Sequence, residues 1–168
     1  MYFHTATICN WQTLLEGDEP KEIVVQSLKW LVKNNLAHIH GFVIMPNHLH
    51  VLWSPAQNVE IEIAATKFSS YTGSMLKKHL VKNHPNQLHN YASSQSDREH
   101  QIWERRPRSL EVMSRTIAQQ KLDYIHNNPL QGKWSLCLIP EEYKYSSASF
   151  YFLNSTRFDF LSHYADFC

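Results

Sequence analysis

The sequence predicts an α+β fold, and three observations carry that prediction. Segments of strand character and segments of helical periodicity follow one another in the order strand, helix, strand, strand, helix, strand, helix. Two apolar-rich runs flank Pro46 and Asn47, the mark of an antiparallel hairpin. The 168 residues suffice for one packed core and no more. Together these describe a single domain, 1–168, built as a ferredoxin-like antiparallel sheet with helices packed on one face.

The opening segment, Tyr2 to Cys9, is rich in aromatic and β-branched residues and reads as a strand. Pro20 suits a first helical turn, and Ile23, Val24, Leu28, Leu31 and Val32 recur at helical spacing, so Lys21 to Lys33 is expected as an amphipathic helix stopped by Asn34 and Asn35. Ala37 to Met45 and His48 to Trp53 form the hairpin, and a loop follows over Ser54 to Asn58. In the next helix Ile61, Ala65, Phe68, Thr72, Met75, Leu76 and His79 share one stripe, ending before Pro85.

Residues 84–96, dense in Asn, Gln, Ser and His, read as a long polar loop and a candidate for disorder or substrate-dependent ordering. Gln101 to Arg108 is expected as a short strand. Ser114 is placed to cap a helix whose buried stripe is Ile117, Ala118, Leu122 and Ile125, and Pro129 ends that helix near Asn128. The remainder, Leu130 to Cys168, is aromatic-rich and weakly periodic.

Composition narrows the function classes. Hydrophobic residues at 43% and charged residues at 18% describe a globular chain, not a disordered one. There is neither a stretch long enough for a membrane span nor a basic-apolar secretory leader, so the expected compartment is the cytoplasm and no membrane partner is expected. Cys9, Cys137 and Cys168 are odd in number and lack CxxC spacing, so they read as free thiols. The net charge is only +1, but residues 67–133 hold eleven Lys or Arg against five Asp or Glu, and both ends are acidic. A basic centre of this kind fits a phosphate-binding surface or a solvated face.

Residues capable of chemistry fall in two places. His48-Leu49-His50 lies on the second hairpin strand, where a period of two turns both imidazoles to one face, Cα atoms roughly 7 Å apart, within reach of one metal ion. His38-Ile39-His40 has the same spacing one strand earlier, and spacing alone does not choose between the pairs. On the helix before Pro129, Tyr124 and Asn128 are four residues apart and share a face with Gln120 and Lys121. Taken singly, each of these reads as a packing or surface residue; taken together they supply two imidazoles, an amide oxygen and a phenol.

Met45-Pro46-Asn47-His48-Leu49-His50-Val51-Leu52 resembles the HUH box, histidine-hydrophobic-histidine, of insertion-sequence transposases with a single catalytic tyrosine. Tyr124-Ile125-His126-Asn127-Asn128-Pro129 resembles their tyrosine motif, particularly in the REP-associated tyrosine transposase branch, and Glu142-Tyr143-Lys144-Tyr145-Ser146-Ser147 is similar to the aromatic-Ser-Ser segment that follows there. The matches run in order from the first strand to about Phe152. The resemblance implies a ferredoxin-like core and a transposase that cleaves and rejoins single-stranded or hairpin DNA through a 5′-phosphotyrosine. Tyr124 would be the nucleophile; His48, His50 and Asn128 would hold Mg²⁺ or Mn²⁺.

A free phenol is mostly protonated at neutral pH and needs a base or a positive field; Lys121 and the metal supply the field, with His126 as a weaker candidate base. Lys67, Tyr71, Lys78, Arg105, Arg106, Arg108 and Lys121 are the candidate DNA contacts, holding phosphates and stacking bases. The assembly is expected to be a monomer or homodimer. Two rivals share these residues: a domesticated nucleic-acid-binding regulator of the same fold, and a metal-dependent phosphoesterase in which water attacks. A third treats the histidines as merely structural.

Overall fold

A computed structural model describes residues 1–168 except 94, 95, 106, 133 and 168. Its four strands are β1 (Tyr2–Thr7), β2 (Ala37–Ile44), β3 (His48–Pro55) and β4 (Arg108–Glu111). They hydrogen-bond in the order β2-β3-β1-β4, every pair antiparallel. With helices α1 (Asp18–Lys33) and α2 (Ile61–Asn83) as the two crossovers, this is the ferredoxin-like arrangement the element order predicts.

Period-two alternation sends the strand residues to two different environments. Ala6, Leu49, Val51 and Trp53 lie on one face, under α1 and α2, where Val24, Leu28, Leu31, Phe68 and Leu76 complete a buried cluster. Trp53 meets Phe68 edge to face at 6.4 Å, and Phe68 in turn meets Trp103 at 6.0 Å. Asp18 and Glu19 occupy the first turn of α1, where carboxylates favour the helix dipole, and Asn34 with left-handed Asn35 (φ 52°) ends it.

The opposite face carries Phe3, Thr5, Thr7, His48, His50 and Leu52, and it receives a third helix, α3 (Arg115–Asn127). The one-face expectation thus holds for the crossover helices, and α3 adds a layer on the other side. Ser114 caps α3 by accepting from the Ile117 N–H at 3.3 Å, a contact worth about 1 kcal/mol. Ala118, Leu122, Ile125 and His126 are buried, whereas Ile117 is exposed. Leu122 of α3 packs tightly over Gly41 of the sheet: a Cβ there would stand 2.4 Å from Leu122 Cδ2.

The C-terminal segment, nearly aperiodic in sequence, covers the outer edge of β2. Ile44 N–H donates to Tyr145 O, Ser147 N–H donates to Phe42 O, and the Tyr143 hydroxyl donates to Ile44 O at 2.7 Å. Ser147 Oγ also accepts from Phe42 N–H at 3.0 Å and shares a 2.9 Å bond with His126 Nε2 on α3. The aromatic-Ser-Ser motif therefore closes a sheet edge and ties it to the third helix. A short helix, α4 (Ala148–Leu153), follows.

Three sequence expectations need correction. Of the strand assigned to Gln101 to Arg108, only Arg108 lies in β4. Upstream the segment meets the end of β1 through the isolated Ile8–Trp103 bridge, with Cys9 N–H donating to Ile102 O and Glu104 N–H to Thr7 O, both at 2.8 Å, while Trp103 Nε1–H donates to Thr72 Oγ1. Pro107, lacking an N–H, cannot extend the ladder backwards. Within 84–96, Pro85–Tyr91 is a 3-10 helix that buries Tyr91; Ser94 and Gln95 lie outside the described residues. β1 stops at Thr7, since Cys9–Trp11 turns into a 3-10 segment with left-handed Asn10 and Trp11. Cys9 and Cys137 are free thiols; Cys168 lies outside the described residues. No helix among the described residues is long and apolar enough to cross a membrane.

Candidate active site

A cleft of about 450 Å³ opens on the α3 face of the sheet, lined by Thr5, Thr7, Trp11, His48, His50, Tyr124, Asn128, Gln131, Gly132 and Trp134. Three elements build it. β3 presents His48 and His50 two residues apart on one face, β1 contributes the neighbouring threonines, and the end of α3 contributes Tyr124 and Asn128 one turn apart. The ring centroids of His48 and His50 are 5.0 Å apart, and those of His50 and Tyr124 are 5.1 Å apart. Pro129 follows Asn128 in a 3-10 turn and holds that amide, 8% exposed, at the cleft floor.

Both imidazoles are oriented through Nδ1. His48 Nδ1–H donates to Asn47 Oδ1 at 2.7 Å; the amide oxygen only accepts, so Nδ1 carries a proton and the ring's Nε2 is the atom turned away from that bond. His50 Nδ1 shares a 2.8 Å bond with the Thr5 hydroxyl, and its Nε2 is buried without a protein partner. Burial, reinforced by His48, Lys121 and His4, holds the His50 pKa down near about 3, so the ring is neutral at physiological pH. A buried, unpaired, neutral imidazole nitrogen beside a second imidazole and an amide is a donor set suited to a borderline divalent cation. Among the described residues there is no cluster of three His, Cys, Asp or Glu side chains with metal-binding arrangement; the group that lines the cleft with the two imidazoles is the Asn128 amide.

Tyr124 is 44% exposed, its ring lying edge-on to Phe3 at 6.0 Å. Lys121, one turn earlier on the same helix face, holds its ammonium 4.9 Å from the Phe3 centroid and so brings a cation to the same side as the phenol. His126 does not join them: it is buried and bonded to Ser147, which removes it as a candidate base. His38 and His40 are excluded as the ligand pair. His40 sits at a β-bulge, buried between Ser54 Oγ (2.8 Å) and Ser162 O (3.2 Å), and His38 packs on Phe167.

The candidate DNA contacts divide. Arg108 pairs with Thr5 across β1 and β4, placing it on the cleft face beside the residue that holds His50. Lys67, Tyr71 and Lys78 are exposed on α2, behind the sheet, and do not line the cleft. Arg105 lines a separate groove of about 660 Å³ together with Lys77, Arg98, Asp97 and Glu104. Arg106 lies outside the described residues. Sequence reasoning missed Thr5, Asn47, Trp11 and Trp134 around the cleft. Thr5 had a usable signal, since the strand period places it on the outward face of β1; the others depend on turns with no periodic pattern.

No family model matches the chain, and no curated protein matches it. Among solved structures, a REP-associated tyrosine transposase bound to a REP hairpin aligns over 88% of this chain and 75% of that one, at 15% identity and a TM-score of 0.62. A candidate transposase from Deinococcus radiodurans R1 aligns over 76% of this chain and 89% of that one, at 17% identity and a TM-score of 0.46. The chain thus has the fold of a REP-associated tyrosine transposase.

Proposed function

We propose that a chain with this fold and this cleft is a single-strand DNA transposase that cuts and rejoins its substrate through Tyr124. One observation carries the reading: two Nδ1-anchored imidazoles, a phenol and an amide from distant parts of the sequence line one cleft. The substrate is a single-stranded or hairpin DNA. In the first step the Tyr124 hydroxyl gives up its proton and its oxygen forms a bond to phosphorus, the P–O3′ bond breaks, and the electron pair leaves on the 3′ oxygen, which takes up a proton. The phosphoester is conserved as a 5′-phosphotyrosine, so a later 3′-hydroxyl can reverse the step and join a new strand.

The side chains divide the work. His48, His50 and Asn128 would hold a divalent cation, Mg²⁺ or Mn²⁺, which when bound supplies Lewis-acid withdrawal of charge from the phosphate. Lys121 brings its ammonium to the phenol's side of the cleft, where it would meet the negative charge of a bound phosphate. Phe3 holds the tyrosine ring against the sheet, and Arg108 is placed to meet a phosphate at the strand edge. Arg105, with Lys77 and Arg98, offers a second polar surface for more distant backbone.

The test is incubation of the chain with Mn²⁺ and labelled hairpin DNA, followed by denaturing gel. The expected result is a covalent protein-DNA adduct that Tyr124→Phe abolishes. Cleavage that persists in Tyr124→Phe would assign the attack to water and make the chain a phosphoesterase; binding without any adduct would make it a regulator of the same fold.

A further inference from the structure

We infer that Trp11 is a stacking platform for an unpaired nucleobase next to the scissile phosphate, an inference that rests on the strand-transfer reading above. Trp11 is 64% exposed, more than any other of the five tryptophans, while Trp53 and Trp103 are buried in the core. An indole left in water forgoes the burial that usually accounts for a tryptophan's presence. Its place is specific: it lines the cleft with His48, His50 and Tyr124, and its ring stands edge-on to His48 at 6.3 Å between centroids.

The backbone is strained to hold it there. Asn10 (φ 54°) and Trp11 (φ 57°) are consecutive non-glycine residues in the left-handed region, which a bulky aromatic residue rarely enters. The turn persists because it is tied down on several sides. Asn10 N–H donates to Glu104 Oε1 at 2.9 Å, Asn10 Nδ2 donates to Asn90 O at 3.3 Å, and Trp11 N–H donates to Ile8 O at 3.0 Å. Asn47 contributes the fourth tie: its Nδ2 donates to Trp11 O at 3.3 Å while its Oδ1 accepts from His48 Nδ1. One amide therefore sets both a candidate metal ligand and the turn that carries the indole.

Chemistry selects the ligand class. An indole brings no charge to neutralise a phosphate, but its face matches any nucleobase that is not already stacked in a duplex. That restricts the ligand to a nucleotide in a single-stranded segment, and the distance to His48 places it beside the phosphate to be cut. The contact is sequence-tolerant, because every base has a π-face, so it would serve positioning more than reading.

The experiment measures anisotropy of labelled hairpin DNA carrying a single-stranded tail, with each tail nucleotide replaced in turn by an abasic site. Tyr124→Phe protein is used so that binding is read without cleavage. The expected result is one tail position whose abasic replacement weakens binding about 5- to 150-fold, the range of one base stack. Trp11→Ala should weaken the intact DNA by the same factor and be indifferent to that position, Trp11→Phe should keep most of the affinity, and Trp11→Leu should behave as the alanine variant. Trp11→Ala that binds as tightly as the parent, or that still senses the same abasic position, overturns the stacking role alone. Failure of the parent to bind any single-stranded tail overturns the stacking role together with the transposase reading.

Discussion

Substituting Gly41 by alanine should disturb both stability and the cleft. The added Cβ would lie 2.4 Å from Leu122 Cδ2 and 3.3 Å from Ser147 Oγ, where ordinary carbon-carbon contact is about 3.5–4.0 Å. Leu122 is buried at 1% exposure, so the crowding is relieved either by its side chain turning within a packed interior or by α3 shifting from the sheet. Overpacking of this kind costs about 1–3 kcal/mol, and for a domain of this length each kcal/mol lowers Tm by about 2–4 °C. Leu122 is two residues from Tyr124, so the same shift moves the phenol relative to His50, and a misplacement of about 1 Å can cost about 100-fold in rate. Urea denaturation of Gly41→Ala, Leu122→Ala and the double variant measures the effect as a cycle. Leu122→Ala alone should cost about 2–5 kcal/mol, and the new methyl should be tolerated in the space it leaves. A Gly41→Ala protein as stable as the parent, or a penalty equal on both backgrounds, would refute the close approach of α3 to the sheet.

Other outcomes follow from the same geometry. Ser147→Ala leaves the Phe42 N–H and the His126 ring without their buried partner, and should lose about 1–3 kcal/mol in urea denaturation. His4, His40 and His126 are held neutral by burial with pKa values down at about 4, so unfolded chains bind more protons than folded ones as pH falls below about 6.5. Their contribution is complete above pH about 6.5 and is lost towards pH about 4, by about 2 kcal/mol each at pH 5; equal urea midpoints at pH 7 and 5 would contradict this. Mn²⁺ at about 100 times its Kd should stabilise the fold by about 2.7 kcal/mol in thermal denaturation, an effect absent in His50→Ala. Thr5→Val, which removes the partner of His50 Nδ1, should weaken Mn²⁺ binding about 10- to 100-fold by calorimetry; unchanged affinity would show that the hydroxyl does not orient the ring.

The element order and the two site motifs were readable because periodic burial writes itself into sequence. A strand needs alternate apolar residues, as in Leu49, Val51 and Trp53, and by the same rule His48 and His50 had to share the other face. The cap at Ser114, the proline stop after Asn128 and the α1 terminus at Asn34 were likewise local decisions of the backbone. The strand placed at Gln101 to Arg108 is reduced to an isolated bridge at Trp103 before β4 begins, and the reach of Trp103 to the distant Thr72 is a contact that no local pattern announces. The basic residues on α2 were read as lying along the site, whereas their helix packs behind the sheet.

The sequence alone thus determined the ferredoxin-like order of elements and the pairing of imidazoles on one strand, since both follow from short-range periodicity and the hydrogen-bonding needs of the backbone. Spacing left open which histidine pair meets Tyr124; the motif resemblance pointed to His48 and His50, and the tertiary structure supplies the physical reason. His38-His40 and His48-His50 have identical spacing, but the bulge at His40 buries that ring against Ser54 and Ser162, while the docking of Leu122 over Gly41 brings α3 to rest above His50. The same docking turned an exposed strand face into a cleft, because sheet and helix meet through residues far apart in the chain.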